Sequence, residues 1–178
     1  MRKEIARQST HLVYGITLTL FTYWNAWIGV AVSIAMIIGV LTYHKREFAV
    51  IEWFMRRLER DENYKGFGAL TLTIGITSVI LVFPDAGFIA GIGVALIDSI
   101  ATVSGVVFGD GRKHLIASLF GGLVFFIVAT SAFSDERVVS LGIAAIVGSV
   151  VEFMSTRTML VDDNITVPWA IALTLIMV

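Results

Sequence analysis

Apolar residues in this chain fall into long runs divided by short charged clusters, a pattern that predicts buried helices rather than alternating strands. The first run spans about Ile5 to Trp24 and the second Ala26 to Tyr43. Only the uncharged Trp24-Asn25 turn separates them, which makes a tight helical hairpin. Further runs cover Phe67 to Phe83, Ala86 to Phe108, Leu115 to Phe133, Val138 to Ser155, and about Thr166 to Val178. Pro84-Asp85 stops the third, because proline lacks a donor and disfavours helix at the residue before it. The fourth is a little long for one straight crossing, so a break around Asp98 to Gly105 is expected. Pro168 is expected in the first turn of the last helix, where its missing donor costs nothing.

Between the second and third runs, His44 to Lys65 is polar and basic. Within it Phe48, Ile51, Met55 and Leu58 share one helical face opposite Glu52, Arg56, Glu59 and Arg60. That spacing predicts an amphipathic helix on a membrane surface, or a solvated connector of the same composition.

Composition turns these runs into a class. At 57% hydrophobic and 15% charged over 178 residues, with mean hydropathy +0.86, the chain has more apolar surface than one soluble core needs. About 20 helical residues cross the hydrocarbon of a bilayer. The expectation is an all-α integral membrane protein: one domain over residues 1–178, with seven transmembrane helices and an interfacial segment at about 44–65. The charged start, Met1 to Arg7, meets an apolar run with no small-residue cleavage site after it, so the first span is expected to be retained. No cysteine is present, which excludes disulfides and thiolate metal sites. A net charge of −1 argues against a nucleic-acid partner.

Lys and Arg set the expected orientation. With seven spans and a cytoplasmic N-terminus, twelve of the thirteen lie on the cytoplasmic side and only Arg137 lies outside. Arg7, His11, Lys113, Glu152 and Asp163 then all fall on or near that side, where nucleotides are available.

Asp98 is the residue least at home in such a chain. An ionised aspartate at the centre of a membrane helix costs roughly 2.5–3.5 kcal/mol, so an acid kept there faces protein, water or a metal ion. The structural alternative is an acid near the interface or paired with an arginine. Gly91, Ala95, Asp98, Thr102, Gly105 and Gly109 recur at three- and four-residue steps, which puts the acid on a face of small residues open to close approach. Asp98, Glu152, Asp162 and Asp163 supply the carboxylates that a divalent metal needs. Arg7, Arg112 and Lys113 supply the cations that phosphoryl transfer needs, because its transition state spreads negative charge over the equatorial oxygens. Gly109-Asp110-Gly111-Arg112-Lys113 lacks the order of a P-loop. The three histidines, His11, His44 and His114, have no zinc-ligand spacing.

Four short motifs then carry a resemblance. They are Glu4-x-x-Arg7-Gln8-x-x-His11-x-x-x-Gly15, Asp98-Ser99-Ile100-Ala101-Thr102-Val103-Ser104-Gly105, Lys113-His114-Leu115-Ile116-Ala117-Ser118, and Glu152 followed by Asp163-Asn164-Ile165-Thr166-Val167-Pro168. In this order the chain resembles the membrane-embedded lipid-alcohol kinases that use CTP: dolichol and polyprenol kinases, phytol kinases and the CTP-dependent diacylglycerol kinase. Gln8 stands where that family has lysine, Ile97 where it has glycine before the aspartate, and His114 and Ala117 depart from its third motif. The resemblance implies Mg²⁺-dependent transfer of the γ-phosphate of CTP to the hydroxyl of a long lipid alcohol. It implies catalytic roles for Asp98, Lys113 and Glu152, with metal held by Asp98, Glu152 and Asp163. Asp98 would either hold the metal or take the proton of the lipid hydroxyl. Nucleotide contacts would come from Arg7, His11, Arg112, Lys113, Ser118 and Asn164.

Two other functions compete. A CDP-lipid synthase uses CTP and Mg²⁺ but releases pyrophosphate, and usually carries a denser Asp- and Lys-rich ending than Glu152 to Pro168. A small transporter would use Asp98 and Glu152 as carrier acids, although no inverted repeat is evident between the two halves of the chain. Glycine-rich faces serve packing within one bundle or between copies, so a homo-oligomer is compatible with the sequence.

Overall fold

The computed structural model describes residues 2–43, 67–107, 114–132, 137–155 and 162–178. Seven helices form there, with no strand among the described residues. They are α1 (Arg2–Trp24), α2 (Ala26–Tyr43), α3 (Phe67–Val82), α4 (Pro84–Val107), α5 (Leu115–Ala132), α6 (Val138–Met154) and α7 (Asp163–Met177). The expected interfacial helix at 44–65, and both Arg112 and Lys113, lie outside the described residues.

Local chemistry fixes the junctions. Asn25 caps α2, its Oδ1 accepting the Trp27 N–H at 3.1 Å, the bond an N-cap side chain makes to satisfy an otherwise orphaned donor. The α3–α4 corner turns at Phe83. Pro84, expected only to stop α3, also opens α4 two residues earlier than the apolar pattern suggests, because its fixed φ suits the first helical position. The expected break in α4 does not occur: the helix is continuous from Pro84 to Val107. Thr102 Oγ1 donates to Asp98 Oδ1 at 3.3 Å one turn along, and small buried residues around the acid let neighbouring helices support the rod.

α4 is the central element. It packs against α1, α3, α5, α6 and α7, while α2 lies outside against α3 and α1. At Gly91 a Cβ would come within 2.5 Å of Thr19 Oγ1, so glycine is what lets α1 lie close against α4. Large apolar side chains fill the middle, among them Ile76, Val94, Ile97, Phe125, Leu141 and Ile171. Polar contacts cross the bundle as well: Tyr14 OH lies 2.6 Å from Thr73 Oγ1, and Trp169 Nε1 donates to Ser78 Oγ at 3.0 Å.

The outer surface is apolar too. Along α5, Ile116, Phe120, Leu123 and Ile127 form an exposed helical stripe, and along α6 Val139, Ile146 and Phe153 do the same. Trp24 and Trp27 stand exposed at the α1–α2 turn. By length and composition, α4 and α5 are long and apolar enough to cross a membrane, and Ala26–Gly39, Phe67–Val82, Val138–Met154 and Asp163–Met177 form shorter apolar helices.

Candidate functional site

One end of the bundle gathers the chemistry. The N-terminal parts of α1, α3 and α7 meet the C-terminal parts of α4 and α6 there, so residues scattered from position 7 to position 164 come into one place. Arg7, Gln8 and His11 on α1, Phe67 and Gly68 at the start of α3, Asp98 on α4, and Asp162, Asp163 and Asn164 at the start of α7 line a cavity of about 90 Å³. That volume takes roughly three waters, or an ion with part of its hydration.

Asp98, Glu152 and Asp163 are all buried, and each offers one carboxylate oxygen within 4.8 Å of the others. His11 Nδ1 lies 3.5 Å from Asp98 Oδ2. Ser99 Oγ, next to Asp98, donates to the Gln8 carbonyl at 3.4 Å, and this pins α1 to α4 at the level of the acids. Ser155 Oγ and Thr166 Oγ1, 3.1 Å apart, join the end of α6 to the start of α7 and so hold Glu152 near Asp163.

The start of α7 is built tightly. Asp162 is its N-cap, with Oδ1 accepting the Asn164 N–H at 3.0 Å; Asp163 Oδ1 accepts the same N–H at 3.0 Å. The Asn164 side chain turns toward α3, Nδ2 donating to Thr71 Oγ1 at 3.3 Å and to the Gly68 carbonyl at 3.5 Å. Burial, and next the neighbouring Asp163 carboxylate, push the Asp162 carboxyl up to about 6, while the Asn164 N–H pulls the other way. Pro168 is not in the first turn as expected but inside the helix. The N–H it lacks is the one that would reach the Asn164 carbonyl, and α3 comes up against that oxygen instead: a Cβ at Gly75 would run into it.

The donor set suits a hard divalent cation, which takes carboxylate and amide oxygens. Bonds of about 2.1 Å place ligand oxygens about 3–4 Å apart around Mg²⁺, so carboxylates within 4.8 Å of one another close on one ion with small side-chain adjustments. Two buried amide oxygens strengthen the fit. Gln8 Oε1 and Asn164 Oδ1 have no hydrogen-bond partner among the described residues.

Of the residues singled out in the sequence, Arg7, His11, Asp98, Asp163 and Asn164 share the cavity, and Glu152 joins the acids. Ser118 does not line the cavity. It is fully buried in the first turn of α5. Phe67, Gly68 and Gln8 were missed as site residues. Gln8 was legible in principle, because positions 7, 8 and 11 share one helical face, but it registered only as the loss of a cation. Phe67 and Gly68 sit at the mouth through the placement of α3, which no local pattern encodes.

The chain is similar to an uncharacterized protein of Methanocaldococcus jannaschii, 26% identical over 175 residues that cover 96% of this chain and 91% of the relative. No family model matches it. No solved structure matches it either.

Proposed function

We propose that this chain is a multi-pass membrane enzyme that transfers the γ-phosphate of CTP to the hydroxyl of a membrane lipid alcohol at the cytoplasmic face. The membrane part of the reading draws on the apolar outer stripes of α5 and α6, on α4 and α5 as spanning helices, and on Trp24 and Trp27 at the end remote from the acids. Tryptophan is enriched where a bilayer meets water. In this reading all seven helices span, with twelve of the thirteen lysines and arginines on the cytoplasmic side and Arg137 outside.

The observation that carries the enzymatic part is the convergence of Arg7, His11, Asp98, Asp163 and Asn164 on one cavity, with Glu152 beside Asp98 and Asp163. These residues come from three of the four motifs that resemble the lipid-alcohol kinases. Mg²⁺ bound by Asp98, Glu152 and Asp163 would neutralise charge on the phosphate oxygens and fix their direction. Arg7 places a cation beside them, and Lys113 and Arg112 would add charge from the segment before α5. Because the cavity is smaller than a nucleotide, it receives the terminal phosphate while the rest of CTP lies outside.

Transfer forms a bond between the lipid oxygen and the γ-phosphorus and breaks the bond from that phosphorus to the bridging oxygen, releasing CDP. The proton of the lipid hydroxyl passes to the Asp98 carboxylate, which His11 holds in orientation from 3.5 Å.

The test is label transfer from γ-labelled CTP, with ATP in parallel, to phytol, geranylgeraniol, polyprenol, dolichol and diacylglycerol, using purified protein in detergent with Mg²⁺. Label in one lipid, with CDP as co-product, supports the reading and names the alcohol. Pyrophosphate release with CMP entering phosphatidate would replace it with the synthase, and solute flux in vesicles without nucleotide would replace it with a transporter.

A further inference from the structure

Gln8 and Asn164 do something in the cavity that packing alone does not require. Both are buried, with 4% and 6% of their surface exposed, both line the cavity that Asp98 and Asp163 line, and in each the amide oxygen has no hydrogen-bond partner among the described residues. For Asn164 the amide orientation is fixed by its own contacts: Nδ2 faces Thr71 Oγ1 and the Gly68 carbonyl, which leaves Oδ1 on the other side. An amide oxygen buried without a partner carries its full desolvation penalty. Two of them beside three clustered carboxylates compound like with like, since every one of these atoms accepts and none donates. Arg7 and His11 line the same cavity, but neither meets Gln8 Oε1 or Asn164 Oδ1 with a hydrogen bond. A cation held by the neighbouring carboxylates would give both amide oxygens the partner they lack.

We propose that Gln8 Oε1 and Asn164 Oδ1 complete, with Asp98, Glu152 and Asp163, a five-oxygen cage that holds one divalent cation before nucleotide or lipid arrives. The proposal rests on the metal site of the kinase reading and deepens it. A metal that normally arrives with a nucleotide is held by one or two carboxylates plus phosphate oxygens and water. Three carboxylates and two amide oxygens are enough to bind an ion unaided. Gln8 also accounts for its own departure from the resembled motif: a lysine at this position would put an ammonium beside the ion, whereas glutamine supplies an oxygen ligand. In this chain position 8 serves the cation rather than the phosphate.

The experiment titrates Mn²⁺ into the full-length, metal-stripped protein in detergent, without nucleotide or lipid, and reads free Mn²⁺ by electron paramagnetic resonance. One ion per chain is expected. Gln8→Met, which keeps shape and loses the oxygen, should weaken binding roughly tenfold, and Gln8→Lys should weaken it further by repulsion. Gln8→Glu should tighten binding several-fold by adding a carboxylate, a gain that a merely structural glutamine would not give; this variant also decides the matter should Gln8→Met fail to fold. No Mn²⁺ bound by wild-type protein that still unfolds cooperatively, or unchanged affinity in Gln8→Glu, overturns the cage. Phosphate transfer is not the readout, so the two readings fail separately. Intact Mn²⁺ binding without transfer to any alcohol removes the kinase, and transfer without nucleotide-free Mn²⁺ binding removes the cage.

Discussion

At the scale of single residues, Asp98 and Asp162 lead to different predictions. Asp98→Asn removes a carboxylate oxygen both from the metal cluster and from the proton path. Transfer should fall at least ~10²-fold while the unfolding transition stays cooperative; a wild-type rate in a phosphate-transfer assay would take Asp98 out of the mechanism. Asp162 behaves differently because its carboxyl is raised to about 6 in the folded protein, against about 3.9 in an unfolded chain. A folded-state value above the unfolded one means that stability is fullest below pH ~4 and declines until pH ~6. Metal-free protein should therefore unfold at a lower temperature at pH 7 than at pH 4.5. Asp162→Asn, which retains a good N-cap, should flatten the Asp162 part of that slope, as thermal melts of the two proteins at both pH values would reveal. Mn²⁺ or Mg²⁺ at a hundred times its Kd should stabilise wild type by about 2.7 kcal/mol. Asp98→Asn should show little of that gain, and an equal gain in both would place the ion elsewhere.

At the scale of elements, the site depends on how α7 begins. Asp163 and Asn164 occupy its first turn, Asp162 caps it, and Pro168 withholds the donor that would draw the Asn164 carbonyl into the helix. α3 meets that carbonyl at Gly75, where any side chain would strike the backbone of Asn164 and Ile165. Backbone cannot swing aside as a side chain does. Gly75→Ala should therefore cost ~3 kcal/mol of stability and, by shifting the first turn of α7, weaken Mn²⁺ binding as well. A melt and a titration on the same preparation check both, and wild-type values in both would show that the helices pass with more room than the contact implies. The helices themselves were readable from the apolar runs, since each run bounded by charges or proline matches a helix to within a few residues. Two details were not. Proline pattern alone stopped α3 without revealing that Pro84 would start α4, and Pro168 fell outside its expected turn because the Asp162 cap starts the helix at Asp163, before the apolar run.

At the scale of the whole molecule, polarity runs inside out in one respect: buried threonines, serines and acids occupy the interior while apolar side chains cover α5 and α6. In water such a surface would be a liability, because contiguous exposed apolar patches drive association. In lipid it is the ordinary outer face of a bundle whose polar groups bond inward. The protein should stay with the membrane pellet through an alkaline carbonate wash and leave it only in detergent. Release by carbonate alone would contradict the spanning reading. A lysine at Leu123, on the outer stripe of α5, should oppose insertion by about 2.5–3.5 kcal/mol, whereas the same change would be nearly neutral on a face in water. Expression in membranes and fractionation of the variant test this directly.

Local chemistry dictates what was legible in the sequence: the seven helices of the described residues, their punctuation by Asn25 and Pro84, and the oddness of Asp98 in an apolar run. Tertiary structure alone decided that α4 stands at the centre, that α1, α3 and α7 open on one cavity, and that Glu152 stands with Asp98 and Asp163. It also made Gln8 a buried acceptor rather than a missing cation. The reason is that helix formation follows from spacing within a few turns of chain, whereas the partners of a buried oxygen lie up to 96 residues away in the contacts of this site. Those meet only when close glycine contacts such as Gly91 against Thr19 and Gly75 against Asn164 set how the helices cross.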